Sequence, residues 1–421
     1  MQSLPKLFKP SMAMVEFLLR IILLIYPILL FLIRGGMNGS LFVITVISLW
    51  LLIAERKTNN NLFDRSCIAF SAAMSSGLIV ILISQLYHQD LSARYFDSST
   101  RFLLAVPIVL ALRNVQMRKL SVIQYGFPLG AITALLAVLA ADPTVSYNAA
   151  TYYLNHIHLG DLALLLGFLS VFSIDWIEKD RFAVKLLKVL GLIAGLTVSV
   201  LSSARGGWIA IPVFIAVYIY IRTKGNFFKK VALATSLFGV IGLLGYLLVE
   251  PIHQRLWMIY SDLTVFSSGD IDTSIGVRLQ LWKAAVHLIA ESPFFGVGAD
   301  GFGQAMDALS ASGFITPVAA GMGKAEVHNE ILAQTVRFGF LGFISIMAIY
   351  FVPFLLFLRA AKSGTHQQNG AAMMGMCVTL GFLVFGLTVE TFDLKMTAAF
   401  YSLTVAVLLA MAIHKPGMNE K

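Results

Sequence analysis

The sequence predicts an all-α, polytopic membrane protein with about 12 transmembrane helices. Three observations carry that reading. Apolar residues make up 58% of the chain, above the ~45–50% of soluble domains. Charged residues make up only 13%. The apolar residues fall in runs that, wound as helices at 1.5 Å per residue, suit a hydrocarbon core about 30 Å thick.

In order, the spans are expected at 14–33, 40–54, 66–86, 100–112, 121–141, 159–176, 186–203, 207–221, 229–249, 329–358, 371–389 and 394–413. The first follows Lys6 and Lys9. It exceeds a signal-peptide core and no small-x-small cleavage site follows, so it reads as a retained helix. The fourth is short and is expected to start near Phe96. The tenth is long, which implies tilt or a start above the membrane. Cys67 and Cys377 lie in or beside spans and form neither a metal motif nor an external disulfide.

Lys and Arg number 31 against 22 Asp and Glu. The surplus does not point to nucleic acid, because the basic residues sit in short clusters between spans. One set of loops carries Arg56, Lys57 and Arg65, then Arg113, Arg118 and Lys119, then Lys179, Arg181, Lys185 and Lys188. The clusters at Arg222 to Lys230 and at Arg359 to Lys362 continue it. Those loops are expected to be cytoplasmic, with both termini on that side. The chain then divides into residues 1–249 (spans one to nine), a long extracytoplasmic loop over 250–327, and residues 328–421 (spans ten to twelve).

The long loop carries helical signals. Pro251 suits the first turn of a helix over His253 to Phe266, and Ser267 to Asp270 would break it. Ser274 is a candidate cap for a second helix ending at Ser292-Pro293. On it Val277, Leu281, Ala284, Ala285 and Leu288 share one face. Trp257, Trp282, Phe294 and Phe295 suit headgroup depth. The loop is expected to form a lid of amphipathic helices on the outer leaflet.

Four stretches could carry chemistry. At the junction of loop and tenth span, His328 precedes Asn329 and Glu330. The N–H groups of a helix start favour the neutral imidazole, which can take a proton. The bland alternative is an ordinary interfacial residue. In SSARGGW, Arg205 lies at the external end of spans seven and eight, and Gly206 and Gly207 permit close approach of the backbone. A guanidinium fork suits phosphate oxygens, though an arginine there can also snorkel to headgroups. Arg278 lies one helical turn before Trp282 and could reach a second phosphate or serve as a solvated charge. In HIHLGD, His156 and His158 share a face only if the segment is extended. With Asp161 they make an incomplete metal set, so substrate contact or packing is preferred. Gly296, Gly298 and Gly301 match GxGxxG without the strand that a dinucleotide fold requires, and read as a turn. Asp270 and Asp272 lack the rest of a calcium loop.

Taken together, Arg205 in SxARGxW, Arg278 in VRLQLW, SPFFGVGADGFG and HNEILAQTVRFGFLG resemble the O-antigen ligase family. Its superfamily includes O-antigen polymerases and O-linked protein glycosyl ligases. The resemblance implies a GT-C-like glycosyltransferase of the bacterial inner membrane with a periplasmic active site and no cofactor or metal requirement. It implies transfer of polysaccharide from undecaprenyl pyrophosphate to lipid A core oligosaccharide, with the lipid bilayer as surroundings. The family's two essential arginines and histidine carry onto Arg205, Arg278 and His328. Trp282, His156, His158 and Asn329 are the further candidate substrate contacts. An O-antigen polymerase, an O-linked protein ligase or a lipid-linked glycan transporter are the rival readings. One dominant external loop with two arginines favours the ligase, and the absence of related halves disfavours the transporter.

Overall fold

The computed structural model describes residues 11–54, 64–140, 154–202, 205–223, 225–248 and 271–414, together with residues 250, 253, 257, 261 and 264. All regular structure among them is helical. The membrane helices are α1 (Met12–Leu32), α2 (Gly36–Ala54), α3 (Arg65–His88) and α4 (Phe96–Leu112). A short α5 (Met117–Leu120) leads into α6 (Ile123–Leu139). Then come α7 (His156–Phe172), α8 (Phe182–Leu201), α9 (Ala210–Arg222) and α10 (Phe227–Leu248). Three helices precede the last spans: α11 (Ser274–Glu291), α12 (Gly301–Ala311) and α13 (Pro317–Gly323). The chain closes with α14 (Glu330–Ser363), α15 (His366–Phe385) and α16 (Lys395–Ala412).

Among the described residues ten helices are long and apolar enough to cross a bilayer, and two shorter apolar helices, α7 and the stretch Gly206–Arg222, occupy the sixth and eighth expected positions. The chain is a polytopic membrane protein. Hydrophobic burial gives little drive between helices in lipid, so packing depends on close backbone approach. At Gly191 of α8 a Cβ would meet Pro128 of α6 at 2.7 Å. The hub is α16, whose most apolar window is 94% buried. A helix apolar all round has no face for water and is used up by its neighbours. Lys188, fully buried in the core, is saturated by Asp180 at 2.8 Å, Gln124 at 2.8 Å and the Ser173 carbonyl at 2.7 Å. A buried charge persists only with such partners.

The helix expected from Ser274 is present but capped one residue earlier than expected. Thr273, not Ser274, accepts from the Gly276 N–H at 3.1 Å. Its apolar face is buried as expected, yet not on lipid. Val277, Leu281, Ala284, Ala285 and Leu288 pack with Phe302, Met306, Ile315, Ala319, Val327 and Val336 in a separate small core. Each such Val or Leu stabilises the packed unit by about 1.5–3 kcal/mol. The lid is therefore a folded cap rather than a helix floating on the outer leaflet. Of the expected helix over 253–266, residues 253, 257, 261 and 264 are described and helical; the others and the break at 267–270 lie outside the described residues.

The long tenth span is not one straight rod. Gly339, at φ 64° and ψ −152°, interrupts α14 after its first turns. The glycine-rich turn fills the break. Val297 N–H donates to the Val336 carbonyl at 2.9 Å and Gly298 N–H to the Arg337 carbonyl at 3.1 Å. Phe340 N–H donates to the Pro293 carbonyl at 2.8 Å. A Cβ on Gly296 would meet Arg337 backbone at 2.5 Å. These glycines serve close backbone packing, in keeping with the turn reading.

Candidate functional site

The segment Glu326–Glu330 is held from several sides before its side chains do anything. Asn329 caps α14: its Oδ1 accepts from Leu332 N–H at 3.0 Å. Its Nδ2 lies 3.4 Å from the Leu387 carbonyl, so both ends of the amide are engaged. Glu330 N–H donates to the Gly386 carbonyl at 2.7 Å. The Glu330 carboxylate, 1% exposed, accepts from Gln334 and from Phe392 N–H, both at 2.9 Å. Glu390 works from the other direction. One oxygen accepts from Val327 N–H at 2.5 Å, and the other from Arg337 at 2.6 Å. Burial raises the Glu390 carboxyl above its ordinary range, against the pull of Arg337.

His328 is thereby fixed at φ 58°, a left-handed backbone that a histidine adopts at a cost. It is buried. Its Nδ1 lies 2.8 Å from Glu326 Oε1. Burial alone would raise the Glu326 carboxyl, but the imidazole of His328 beside it holds it below its usual range. A carboxylate beside Nδ1 favours the tautomer with the proton on that nitrogen and leaves the Nε2 lone pair for another partner. Glu326 was not among the residues singled out from the sequence.

The other candidate residues surround this segment. The Trp282 indole N–H points at the His328 carbonyl, 3.4 Å away. Arg278, half-buried, is one turn earlier on α11, so it shares that face. HIHLGD is the first turn of α7 rather than an extended strand, capped by Asn155 accepting from Ile157 N–H at 2.7 Å. His156 and His158 thus diverge, and only His158 is buried. Among the described residues no cluster of three His, Cys, Asp or Glu is placed to hold a metal.

Arg205 opens a 3₁₀ turn, Arg205–Ile209; its side chain lies outside the described residues. The two glycines after it are approached by protein. A Cβ on Gly207 would collide with Asp161 Oδ1, and one on Gly206 would stand 2.5 Å from Thr388 Oγ1. The turn is wedged between α7 and the segment joining α15 to α16. That same segment, through Gly386, Leu387 and Glu390, grips the His328 loop. Asp161 is 2% exposed, and neither carboxylate oxygen has a hydrogen-bond partner.

Residues 190–347, which contain Arg205, Arg278 and His328, match the family described as O-Antigen ligase. Over that segment, less than half of its length, the chain is similar to the O-antigen ligase family. It is also similar to an O-antigen ligase of Escherichia coli, 23% identical over 271 residues, covering 60% of this chain and 61% of that protein. A second relative, an uncharacterized protein of Haemophilus influenzae, is 24% identical over 365 residues, covering 86% of this chain and 90% of that protein. The family's matched segment runs from α8 to the middle of α14, so it spans the 3₁₀ turn, the folded cap and the His328 loop together.

Proposed function

We propose that the protein is a membrane glycosyltransferase that moves O-antigen polysaccharide from undecaprenyl pyrophosphate to the lipid A core oligosaccharide. The reaction takes place on the periplasmic side of the bacterial inner membrane. The observation that carries the reading is the His328–Glu326 contact at 2.8 Å, set in a loop against which both α11 and the elements that wedge the Arg205 turn are packed.

With Nδ1 beside the Glu326 carboxylate, His328 Nε2 takes the proton of the acceptor hydroxyl. The hydroxyl oxygen bonds to the anomeric carbon, and the bond from that carbon to the pyrophosphate oxygen breaks. Attack comes from the face opposite the leaving group, so the configuration inverts. General-base help of this kind is worth about 10²–10⁴-fold. The departing undecaprenyl pyrophosphate is neutralised by Arg205 and Arg278, whose planar forks each match two phosphate oxygens. Two fixed guanidinium charges take the place a divalent metal holds at other phosphate sites, which makes the reaction metal-independent. Trp282 fixes the His328 backbone and offers an aromatic face to substrate. His156 and His158 contact the glycan from α7, and Asn329 acts through the helix start it caps.

The deciding experiment is transfer by purified full-length protein from lipid-linked glycan to lipid A core in the presence of a chelator. Capped core carrying an inverted linkage is expected. Glycan joined only to a second lipid-linked glycan would replace the ligase by the polymerase reading.

A further inference from the structure

A cavity of about 340 Å³ lies beside the His328 loop, and Arg205, Arg278 and His328 do not line it. Its volume is within the range of small-ligand pockets, ~300–1,000 Å³. Its walls come from α3, α4, α12, α14 and the residues before α16. It reaches inward to Gly77, about 16 Å down α3 from His88 at 1.5 Å per residue.

The outer piece of α14 separates this cavity from the site above. Ala333 and Val336 face the small core built on α11. Gln334, Arg337 and Phe338, on another face of the same turns, line the cavity. One ion pair joins the two sides. Arg337 holds Glu390, and Glu390 holds the N–H of Val327 immediately before His328.

The lining is charged but paired. Arg94 donates to both oxygens of Asp300, at 2.9 and 2.8 Å, and Tyr95 adds its hydroxyl to the same carboxylate. Asp97 is shared by Arg101 at 2.8 Å and by Lys395. Such pairs leave little single-sign field for a diphosphate. They do present fixed donors and acceptors side by side, with the Tyr95 and Phe392 rings nearby. That suits a sugar, in which every hydroxyl both donates and accepts.

We propose that this cavity is the subsite for sugar residues of the acceptor glycan. The inference rests on the ligase reading and deepens it. The diphosphate is held on the flank of α11 and the Arg205 turn, and the acceptor enters from the opposite flank of the His328 loop. Two substrates arriving on two sides is the arrangement that displacement with inversion requires.

The test uses full-length protein in lipid nanodiscs, with undecaprenyl-pyrophosphate-linked glycan and purified lipid A core varied separately. Ala325→Trp places a ring in the cavity mouth, and Arg94→Gln removes one rim donor whose side chain is 70% exposed. The KM for core is expected to rise about tenfold or more in the first and ~3–10-fold in the second, with the KM for donor within about twofold of wild type. A rise in donor KM alone, or no change in either KM, overturns the acceptor assignment. If Ala325→Trp fails to fold, Arg94→Gln decides on the same criteria. Absence of transfer by the wild type, by contrast, removes the ligase reading itself and the subsite with it.

Discussion

Glu326 and His328 meet across a single intervening residue because His328 is at φ 58°. In an extended segment residues i and i+2 share a side but rarely touch. The left-handed turn brings the carboxylate to 2.8 Å from Nδ1, and Val327 between them is tied to Glu390. A geometry of this cost is retained where something depends on it.

The first prediction separates the ring from the backbone. His328→Gly relieves the left-handed strain and removes the Glu326 partner, two opposed effects, so the variant is expected to fold with a stability within about 1–2 kcal/mol of wild type. It should nevertheless leave lipid A core uncapped. Calorimetry on the purified variant together with a core-capping assay checks both halves. Full capping would remove His328 from the chemistry.

Glu326→Gln keeps the shape and removes the charge. A loss of about 10–100-fold in transfer is expected, the range for removing a group that orients a catalytic base. The pH dependence has a definite sign. The folded carboxyl lies below its ordinary 4.5, so its stabilisation is present above pH 4.5 and disappears as pH falls through the lower folded value. The melting temperatures of wild type and Glu326→Gln should therefore converge as pH is taken from 5 towards 3. A gap that widened over that interval would contradict the pairing.

The two arginines are distinguished from simple charges by Arg205→Lys and Arg278→Lys. Lysine retains the charge and loses the fork. Each variant is expected to fold and to lose about 10- to 100-fold in transfer, a cost of ~1.4–2.8 kcal/mol. Turnover at the wild-type rate in both would remove the bidentate phosphate contact.

Gly207→Ala tests the wedge that aims the Arg205 turn. The new methyl collides with Asp161, so overpacking of about 1–3 kcal/mol and a displaced turn are expected. Asp161→Ala in the same chain makes room and should recover most of the lost stability. A double variant no more stable than Gly207→Ala would show that Asp161 is not what the turn rests on.

The reach of sequence reasoning follows the physics of each element. Spans were legible because run length is set by the bilayer and needs no tertiary contact. The apolar face of α11 was legible for the same reason, but its covering was not. A stripe of Val, Leu and Ala records that something apolar lies against it and does not distinguish lipid from α12 and α13. The sixth span is expected from 159, and Asn155, a cap signal left unused, starts the helix at His156 instead. Glu326 had no such signal, since its value depends on a positive φ two residues on. The tie between Arg337 and Glu390 joins residues on different elements, and nothing in either neighbourhood marks it. A lone glycine in an apolar run is common, so Gly339 gave no warning of a break.

That break has a mechanical result. The two carbonyls it releases are taken at once by the N–H groups of Val297 and Gly298, so the outer stub of α14 is riveted to the turn beside it. Swinging the stub about Gly339 would tear both rivets. The imidazole is consequently aimed by this buttress together with the segment between α15 and α16 that grips the His328 loop, and not by the axis of the long span below it alone.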